Sequence, residues 1–399
     1  MLKDKVVVVG VCGGIAAYKV ADLVSRLKKQ GAHVHVIMTR SATSFVAPLT
    51  FQVLSQNYVV EDMFDRPYSW EIEHISLAQK ADIFVIAPAT ANIIGKVAGG
   101  IADDMLSTTI MATRSPVIFA PAMNCNMFEN PVVQKNITYL KSLGYMFVEP
   151  QVGRLACGDV GKGKMAENDD IIDKITASIA YKKDLKDLNV LVTAGPTQEP
   201  IDPVRFISNH SSGKMGYAIA KAAWYRGANV TLITGPTHLP VPKGIDVVYV
   251  TTAIEMYEAV MRYYEKASMI IKAAAVSDYR SCQVADNKIK KGTNLEIPLT
   301  QNPDILSALG SKVKNQVLIG FSMETEQLEK YAMQKLAGKN LDMIVANNLS
   351  EEGAGFAGDT NIVTLIDRKG NLEKLPKMSK EALAHQIVDK GVAIYHHKR

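Results

Sequence analysis

The chain of 399 residues carries no long block of lysine or arginine, and its 21% charged residues leave a formal net charge of only +5. Dedicated nucleic-acid binders gather their cations in runs or stripes, so that class is disfavoured. A mild positive balance suits anionic small molecules better. Apolar runs are short: Val6–Val9, Ile83–Ala87 and Val117–Ala120 fall far below the ~20 residues of a membrane span. Met1-Leu2-Lys3-Asp4 leads into a strand without the apolar core of a secretory signal, so a soluble, cytoplasmic protein is expected. The four cysteines, at 12, 125, 157 and 282, form no CxxC pair and no Cys/His group with zinc spacing. Neither a disulfide framework nor a structural metal is indicated. Core-forming material is abundant, with 47% hydrophobic residues over a length that allows two or three domains at ~150 residues each.

The run Lys5–Gly10 is apolar and β-branched, and Gly13-Gly14 interrupts it. Val20, Leu23, Val24 and Leu27 then recur at helical spacing until Gly31, and His33–Thr39 forms a second strand. This is a βαβ unit whose strands, buried on both faces, lack polar alternation. Further strands at Ile83–Ala87 and Val117–Ala120 each end in a proline-containing loop, where ligands collect in open α/β sheets. The charged stretch Tyr181–Asn189 reads as a hinge. Beyond it, strands are expected at Asn189–Thr193, Asn229–Thr234, Met269–Ala274, Val317–Phe321 and Asp342–Ala346, with a helix opening near Gly213 and running through Tyr225. The predicted fold class is α/β: two Rossmann-like domains, each a mostly parallel sheet flanked by helices, spanning 1–183 and 187–399.

In the first half, Gly10-Val11-Cys12-Gly13-Gly14-Ile15-Ala16 joins a strand to a helix N-terminus, where unpaired amides and the helix dipole favour a phosphate. The loop departs from G-x-G-x-x-G, and Thr39-Arg40-Ser41 stands where a dinucleotide site wants an acidic residue. FMN therefore fits better than NAD, with a ligand-free tight turn as the plain alternative. His74 precedes an apolar helix and reads either as a functional residue or as a cap or surface group. Asn124, set among methionines in Pro121-Ala122-Met123-Asn124-Cys125-Asn126-Met127-Phe128, is placed to orient a carboxylate. The glycine-rich segment Gln151–Lys164 reads as a lid, and its Cys157 as an acid on closure or as a buried small hydrophobe.

In the second half, Gly213-Lys214-Met215 tempts a P-loop assignment that fails, because Ser208 and Met215 stand where Gly and Ser/Thr are required. Arg205–Gly213 still offers an amide, hydroxyls and a glycine at a helix start. Taken alone, Asn209 reads as a helix cap. Asp278 closes a buried strand and Lys288-Ile289-Lys290-Lys291-Gly292 follows on a loop, a combination suited to a triphosphate with its divalent ion, although a solvated loop is the blander reading. Asn302-Pro303-Asp304-Ile305, Phe321 and the pair Lys335/Lys339 add to that cluster.

The Gly-Gly-Ile-Ala-Ala loop, Ile-x-His74-Ile, Pro-Ala-Thr-Ala-Asn, Pro-Ala-Met-Asn-x-x-Met and Ala-Cys-Gly-Asp occur in the order and spacing of the flavin-containing cysteine decarboxylases. The second half is similar to phosphopantothenate–cysteine ligases, and the whole chain resembles the bifunctional bacterial family that joins the two in coenzyme A synthesis. The resemblance implies ligation of cysteine to 4′-phosphopantothenate through an acyl-cytidylate formed from CTP. It further implies FMN-dependent oxidation at the sulfur-bearing carbon, loss of carbon dioxide and return of the electrons, giving 4′-phosphopantetheine. It assigns FMN contacts to Gly13, Gly14, Ile15, Thr39, Ser41, Phe45, Thr90, Asn92 and Ala122, and catalysis to His74, Asn124 and Cys157. Substrate contacts fall to Asn124, Met127, Arg205 and Asn209. CTP contacts fall to Ala274, Asp278, Lys288, Asn302, Pro303, Asp304, Ile305, Phe321, Lys335 and Lys339, with Asn209 and Lys288 catalytic and Mg2+ near Asp278. Phe128 departs from the tryptophan frequent in the family. Trimeric decarboxylase domains with active sites between subunits, joined by dimeric ligase domains, imply a homo-dodecamer; neither nucleic acid nor membrane is implied as a partner. Of two rivals, a flavin- or NAD-dependent reductase leaves the Lys288–Lys291 loop and Asn209 unexplained. A non-catalytic relative would be expected to lack some of His74, Asn124 and Cys157.

Overall fold

The computed structural model describes residues 1–64, 73–154, 158, 160–240, 242–291, 296–324, 328–348 and 358–399. The chain divides into two compact units, Met1–Lys182 and Lys183–Arg399.

The first unit runs β1 (Val6–Val11), α1 (Ala17–Lys29), β2 (His33–Met38), α2 (Pro48–Ser55), β3 (Val59–Val60), α3 (Glu73–Lys80), β4 (Ile83–Ala89) and α4 (Ala91–Ala98). It continues with α5 (Met105–Ala112), β5 (Val117–Pro121), α6 (Cys125–Glu129), α7 (Pro131–Ser142), β6 (Met146–Phe147), the hairpin β7 (Gln151–Arg154) and β8 (Val160–Lys164), and α8 (Asn168–Ile179). The main sheet has the order β3-β2-β1-β4-β5-β6 and is parallel throughout. Its apolar strands are buried on both faces: Val7, Val9, Ile83 and Val85 meet α1, α2 and α8 on one side. Val8, Phe84 and Ile86 meet α3, α4, α5 and α7 on the other.

The second unit begins with β9 (Asn189–Ala194), the hairpin β10 (Gln198–Pro200) and β11 (Phe206–Ser208), α9 (Lys214–Tyr225), β12 (Asn229–Thr234), β13 (Asp246–Tyr249), α10 (Ala253–Tyr263) and β14 (Met269–Lys272). A second hairpin, β15 (Tyr279–Ser281) and β16 (Leu299–Gln301), precedes α11 (Ile305–Lys312), β17 (Val317–Glu324), α12 (Leu328–Gly338) and β18 (Met343–Asn348). The unit ends in β19 (Thr360–Asn361), β20 (Val363–Asp367), β21 (Leu372–Lys374), β22 (Met378–Ser379) and α13 (Lys380–His397). Its sheet order is β13-β12-β9-β14-β17-β18-β20-β21, with the first six strands parallel and the last two antiparallel. Val190, Val192, Met269 and Ile271 pack against α9 and α13, while Leu191, Ile270 and Leu318 face α10, α11 and α12.

Counting only the parallel strands, both sheets run 3-2-1-4-5-6, the doubly wound order that reverses direction beside the first strand. The loops after β1 and β4, and after β9 and β14, therefore flank the two switch points. Several boundaries differ from the sequence expectation. The strand through Ile83 continues to Ala89, past the proline, with a register shift between Ile86 and Ala89. The strand from Met269 stops at Lys272 instead of Ala274, because the Ala274 amide turns to the Thr193 hydroxyl (3.2 Å). Among the described residues no helix is long and apolar enough to cross a membrane.

Candidate functional sites at the two switch points

In the first unit, α1 starts at Ala17 with no side chain capping its amides. The preceding loop is shaped by Gly13, where an added Cβ would lie 2.4 Å from the Ser41 Cβ, whereas one on Gly14 would find nothing nearer than Pro88 Cγ at 3.9 Å. The loop thus rests on Ser41 behind and leaves Gly14 open in front. That open face belongs to a cleft of about 480 Å³ walled by Gly13, Gly14, Ile15, Ala16, Thr90, Ala91, Ala122, Met123, Asn124, Met127 and Met165, within the ~300–1,000 Å³ of small-molecule sites. Tyr18, Gly163 and three cations, Lys19, Arg154 and Lys164, complete the wall. Sequence reasoning passed over all three; the usable signal was Lys19, the first cation after the glycine loop. Thr90 caps α4 by accepting the Ile93 amide (3.4 Å).

Asn124 lines the cleft and its Oδ1 accepts the Asn126 amide (2.9 Å), which fixes the plane of the side-chain amide. Thr39, Ser41, Phe45 and Asn92 are off the wall. Thr39 is tied by its amide to the Val11 carbonyl (3.0 Å), Phe45 is 49% exposed and Asn92 is exposed. His74 is also absent from the wall and lies within the first turn of α3, not ahead of the helix. Phe128, on α6, is buried in the core, with the Lys162 ammonium 5.3 Å from its ring centroid; it is a packing residue and not part of the cleft. Gly163 on β8 allows close approach: an added Cβ would lie 2.3 Å from the Met123 carbonyl oxygen, and the Met123 amide donates to the Gly163 carbonyl (3.0 Å). On β8, Gly163 and Gly161 thus allow close packing, whereas a Cβ on Gly158 would meet nothing within 4 Å. Cys157, with Leu155, Ala156 and Asp159, lies outside the described residues, as do Glu71 and Ile72 before His74.

In the second unit, α9 also starts without a side-chain cap, at Gly213, whose φ of +80° lies in the left-handed region. Asn209 is not the cap. It stands too far ahead of the helix, and its Nδ2 donates instead to the Ala275 carbonyl (3.0 Å), tying the loop before α9 to the loop after β14. In that second loop the Ser277 amide donates to Thr197 Oγ1 (3.0 Å), Asn302 Nδ2 donates to the Ser277 carbonyl (2.8 Å), and the Asn302 amide donates to the Asp278 carbonyl (2.8 Å). Pro303 leads into Asp304, which caps α11 through the Ser307 amide (3.0 Å) and pairs with Lys339 Nζ (2.7 Å). Ile305, the first residue of α11, is buried. Lys335 Nζ donates to the Phe321 carbonyl (3.0 Å).

Lys272, at the end of β14, is the residue the sequence reading missed, although a charged side chain closing an apolar strand was signal enough. Its Nζ donates to the Ala274 carbonyl (3.0 Å). Burial, followed by the Lys335 and Lys339 ammoniums, pushes its pKa down to about 8 against the opposing pull of Asp304 and Asp278. The structure therefore joins Ala274, Asp278, Asn302, Asp304, Phe321, Lys335 and Lys339 to Lys272, and links Asn209 to them through Ala275. Lys288 is exposed on the loop after β15. Arg205 turns toward the same loop, donating from Nη2 to the Ile289 carbonyl (2.8 Å). Gly292 lies outside the described residues.

Residues 1–180 match the family described as Flavoprotein, and residues 185–394 the DNA/pantothenate metabolism flavoprotein C-terminal domain. Over 400 residues the chain is 48% identical to the coenzyme A biosynthesis bifunctional protein CoaBC of Bacillus subtilis (strain 168), covering 99% of this chain and 98% of that protein. The protein of the same name from Escherichia coli (strain K12) is 44% identical over 402 residues, with 100% and 99% covered. Among solved structures, the C-terminal domain of a coenzyme A biosynthesis bifunctional protein CoaBC is 41% identical, covers 54% of this chain and 100% of that one, and has a TM-score of 0.48.

Proposed function

The chain belongs to the family of bifunctional CoaBC proteins of coenzyme A biosynthesis, and on that premise we propose that residues 187–399 ligate cysteine to 4′-phosphopantothenate with CTP and residues 1–183 decarboxylate the product with FMN. The observation that carries the reading is the pairing of two uncapped helix N-termini at equivalent switch points. One opens on a walled cleft and the other adjoins a cluster of lysines.

In the first unit the open Gly14 face and the amides of α1 suit a phosphate monoester, and the apolar wall suits a ring system. When bound, FMN supplies a two-electron acceptor that later returns the electrons, so the reaction has no net redox change. Asn124 holds the substrate carboxylate that leaves as carbon dioxide, and Met127 packs against the substrate. Lys19, Arg154 and Lys164 supply positive charge for its phosphate. Cys157 Sγ donates the closing proton; a thiol of reference pKa ~8.5 is protonated near neutrality and suits that role. His74, off the cleft wall, serves as base or orienting group in the cleft of a neighbouring subunit. Phe45, Leu49 and Val53 are large apolar side chains left exposed off the cleft wall, which suits burial against a neighbouring subunit, in this reading within a trimer; with dimeric ligase units the assembly becomes a dodecamer. A monodisperse monomer or simple dimer by light scattering at micromolar concentration contradicts that assembly.

In the second unit the carboxylate of phosphopantothenate attacks the α-phosphorus of CTP, pyrophosphate leaves, and the cysteine amine then displaces CMP. Attack of an anion on an anion needs positive charge at the triphosphate, which Lys288, Lys335 and Lys339 bring; Lys272 adds a fourth cation. Among the described residues no three His, Cys, Asp or Glu side chains gather as a metal cage. Mg2+ typically sits on one or two carboxylates plus substrate phosphates, and the exposed Asp278 fits that pattern. Asn209 holds the acyl-cytidylate. The substrates are those of the cytoplasm, where this reading places the enzyme. Purified protein given phosphopantothenate, cysteine and CTP is expected to yield phosphopantetheine, CMP and pyrophosphate by mass spectrometry; absence of phosphopantothenoylcysteine and of phosphopantetheine contradicts the proposal.

A further inference from the structure

The turn between β10 and β11 is built around a buried carboxylate. Asp202 has a fully covered side chain. Its Oδ1 accepts the amides of Val204 and Arg205, both at 2.8 Å, and its Oδ2 accepts the amide of Ile289 at 3.1 Å. Ile289 is the neighbour of Lys288. The same loop is held at two further points: the Ala285 amide donates to the Ile201 carbonyl (3.0 Å), and Arg205 Nη2 donates to the Ile289 carbonyl (2.8 Å). Both backbone polar groups of Ile289 are thus engaged, while Lys288, Lys290 and Lys291 on either side of it remain exposed.

Three amide donors converge on one side chain, and only an ionised carboxylate is acceptor-only on both oxygens. Burial works against ionisation of Asp202, yet the amides of Val204, Ile289 and Arg205 and the Arg205 guanidinium hold its carboxyl below the ordinary value.

We propose that Asp202 is a positioning residue for the ligase reaction: acting through Ile289, it fastens the Lys288 loop to the β10–β11 turn, so that Lys288 meets the triphosphate from a fixed base. Asp202 itself touches no substrate. The inference rests on reading the second unit as a CTP-dependent ligase, but its structural half is testable without CTP.

The test compares the full-length protein with Asp202→Asn, which turns an amide donor toward one of the three N–H groups, and with Ile289→Pro, which deletes the donor to Oδ2 and also fixes φ at that residue. Two quantities are read. The first is the rate of tryptic cleavage after Lys290 and Lys291 relative to other sites, without substrates; Lys288 is left out because trypsin does not cut a Lys–Pro bond. The second is kcat for CTP-dependent pyrophosphate release, alongside KM for cysteine and the decarboxylation of supplied phosphopantothenoylcysteine. Both variants are expected to be cleaved faster at these lysines and to lose about ten- to a hundred-fold in kcat, the scale of a misplacement of ~1 Å. KM for cysteine and the decarboxylation rate should stay within about two-fold, because neither depends on the loop. Should Asp202→Asn fail to fold, Ile289→Pro decides on the same readouts. Wild-type cleavage with wild-type kcat overturns the proposal, as does an equal loss of decarboxylation. If the unaltered protein makes no phosphopantothenoylcysteine, the ligase reading fails, and the cleavage rates still decide whether Asp202 fastens the loop.

Discussion

At the switch point of the first unit, the loops after β1 and β4 wall a cleft of about 480 Å³ whose shape is set by glycines and small apolar residues. At the equivalent point of the second unit, the loops after β9 and β14 are tied together by side-chain amides and hydroxyls, and the adjoining positions carry lysines and aspartates. The same strand order therefore supports two kinds of site. One is defined by space and so is vulnerable to added volume. The other is defined by charge and so is vulnerable to pH and to loss of the groups that hold loops in place.

The largest effect that sharpens this contrast should come from Gly13→Val. Its Cβ would fall 2.4 Å from Ser41 Cβ and 2.9 Å from the Ser41 carbonyl carbon, so the loop must move. Flavin affinity, read from absorbance of the purified protein, should drop about a hundred-fold, the upper end of the ~1–3 kcal/mol cost of overpacking. Pyrophosphate release from CTP should not change. A yellow variant would mean that Gly13 does not shape the flavin site.

A smaller effect follows from Lys272. With its pKa down to about 8, the side chain carries its proton at pH 7 and has lost most of it at pH 9. A bound triphosphate favours the charged form, so binding takes up a proton near pH 8 and affinity weakens as pH rises. CTP affinity by calorimetry should fall up to about ten-fold between pH 7 and 9, and Lys272→Met should flatten that slope. An identical slope in the variant removes Lys272 from the site. The smallest effect is expected from Phe128→Trp. Phe128 sits in the core away from the cleft wall, so the larger ring should cost stability of ~1–3 kcal/mol and shift the decarboxylation rate by no more than about two-fold. A larger rate change would place residue 128 at the flavin after all.

Much of the fold was legible because buried parallel strands announce themselves as unbroken apolar runs: Asn229–Thr234 appears with the expected bounds. Glycine and proline punctuation marked both switch-point loops. The cleft was only partly legible. Gly13, Gly14, Ile15, Thr90, Ala122, Asn124 and Met127 share it, but Lys19, Arg154 and Lys164 went unnoticed because a lone lysine or arginine in sequence reads as surface. Taken alone, Asn209 read as a cap, and only the resemblance gave it a catalytic part; its partner, the Ala275 carbonyl, lies 66 residues away and out of reach of a local pattern. Asp202 was invisible for the same reason: its role depends on Ile289, 87 residues further along. Short-range patterns reveal loops, and long-range hydrogen bonds decide what the loops hold.

Separate sites for the two reactions are tested most directly by two variants and their mixture. Lys288→Gln should accumulate neither phosphopantothenoylcysteine nor phosphopantetheine from phosphopantothenate, cysteine and CTP, while still decarboxylating supplied phosphopantothenoylcysteine. Cys157→Ser should form phosphopantothenoylcysteine from CTP but stall afterwards, with the flavin band bleached. Mixed, the two separately purified proteins should restore phosphopantetheine, each supplying the step the other lacks, as followed by mass spectrometry. A mixture that stays blocked, or a Lys288→Gln protein that cannot decarboxylate, would contradict two independent sites on one chain.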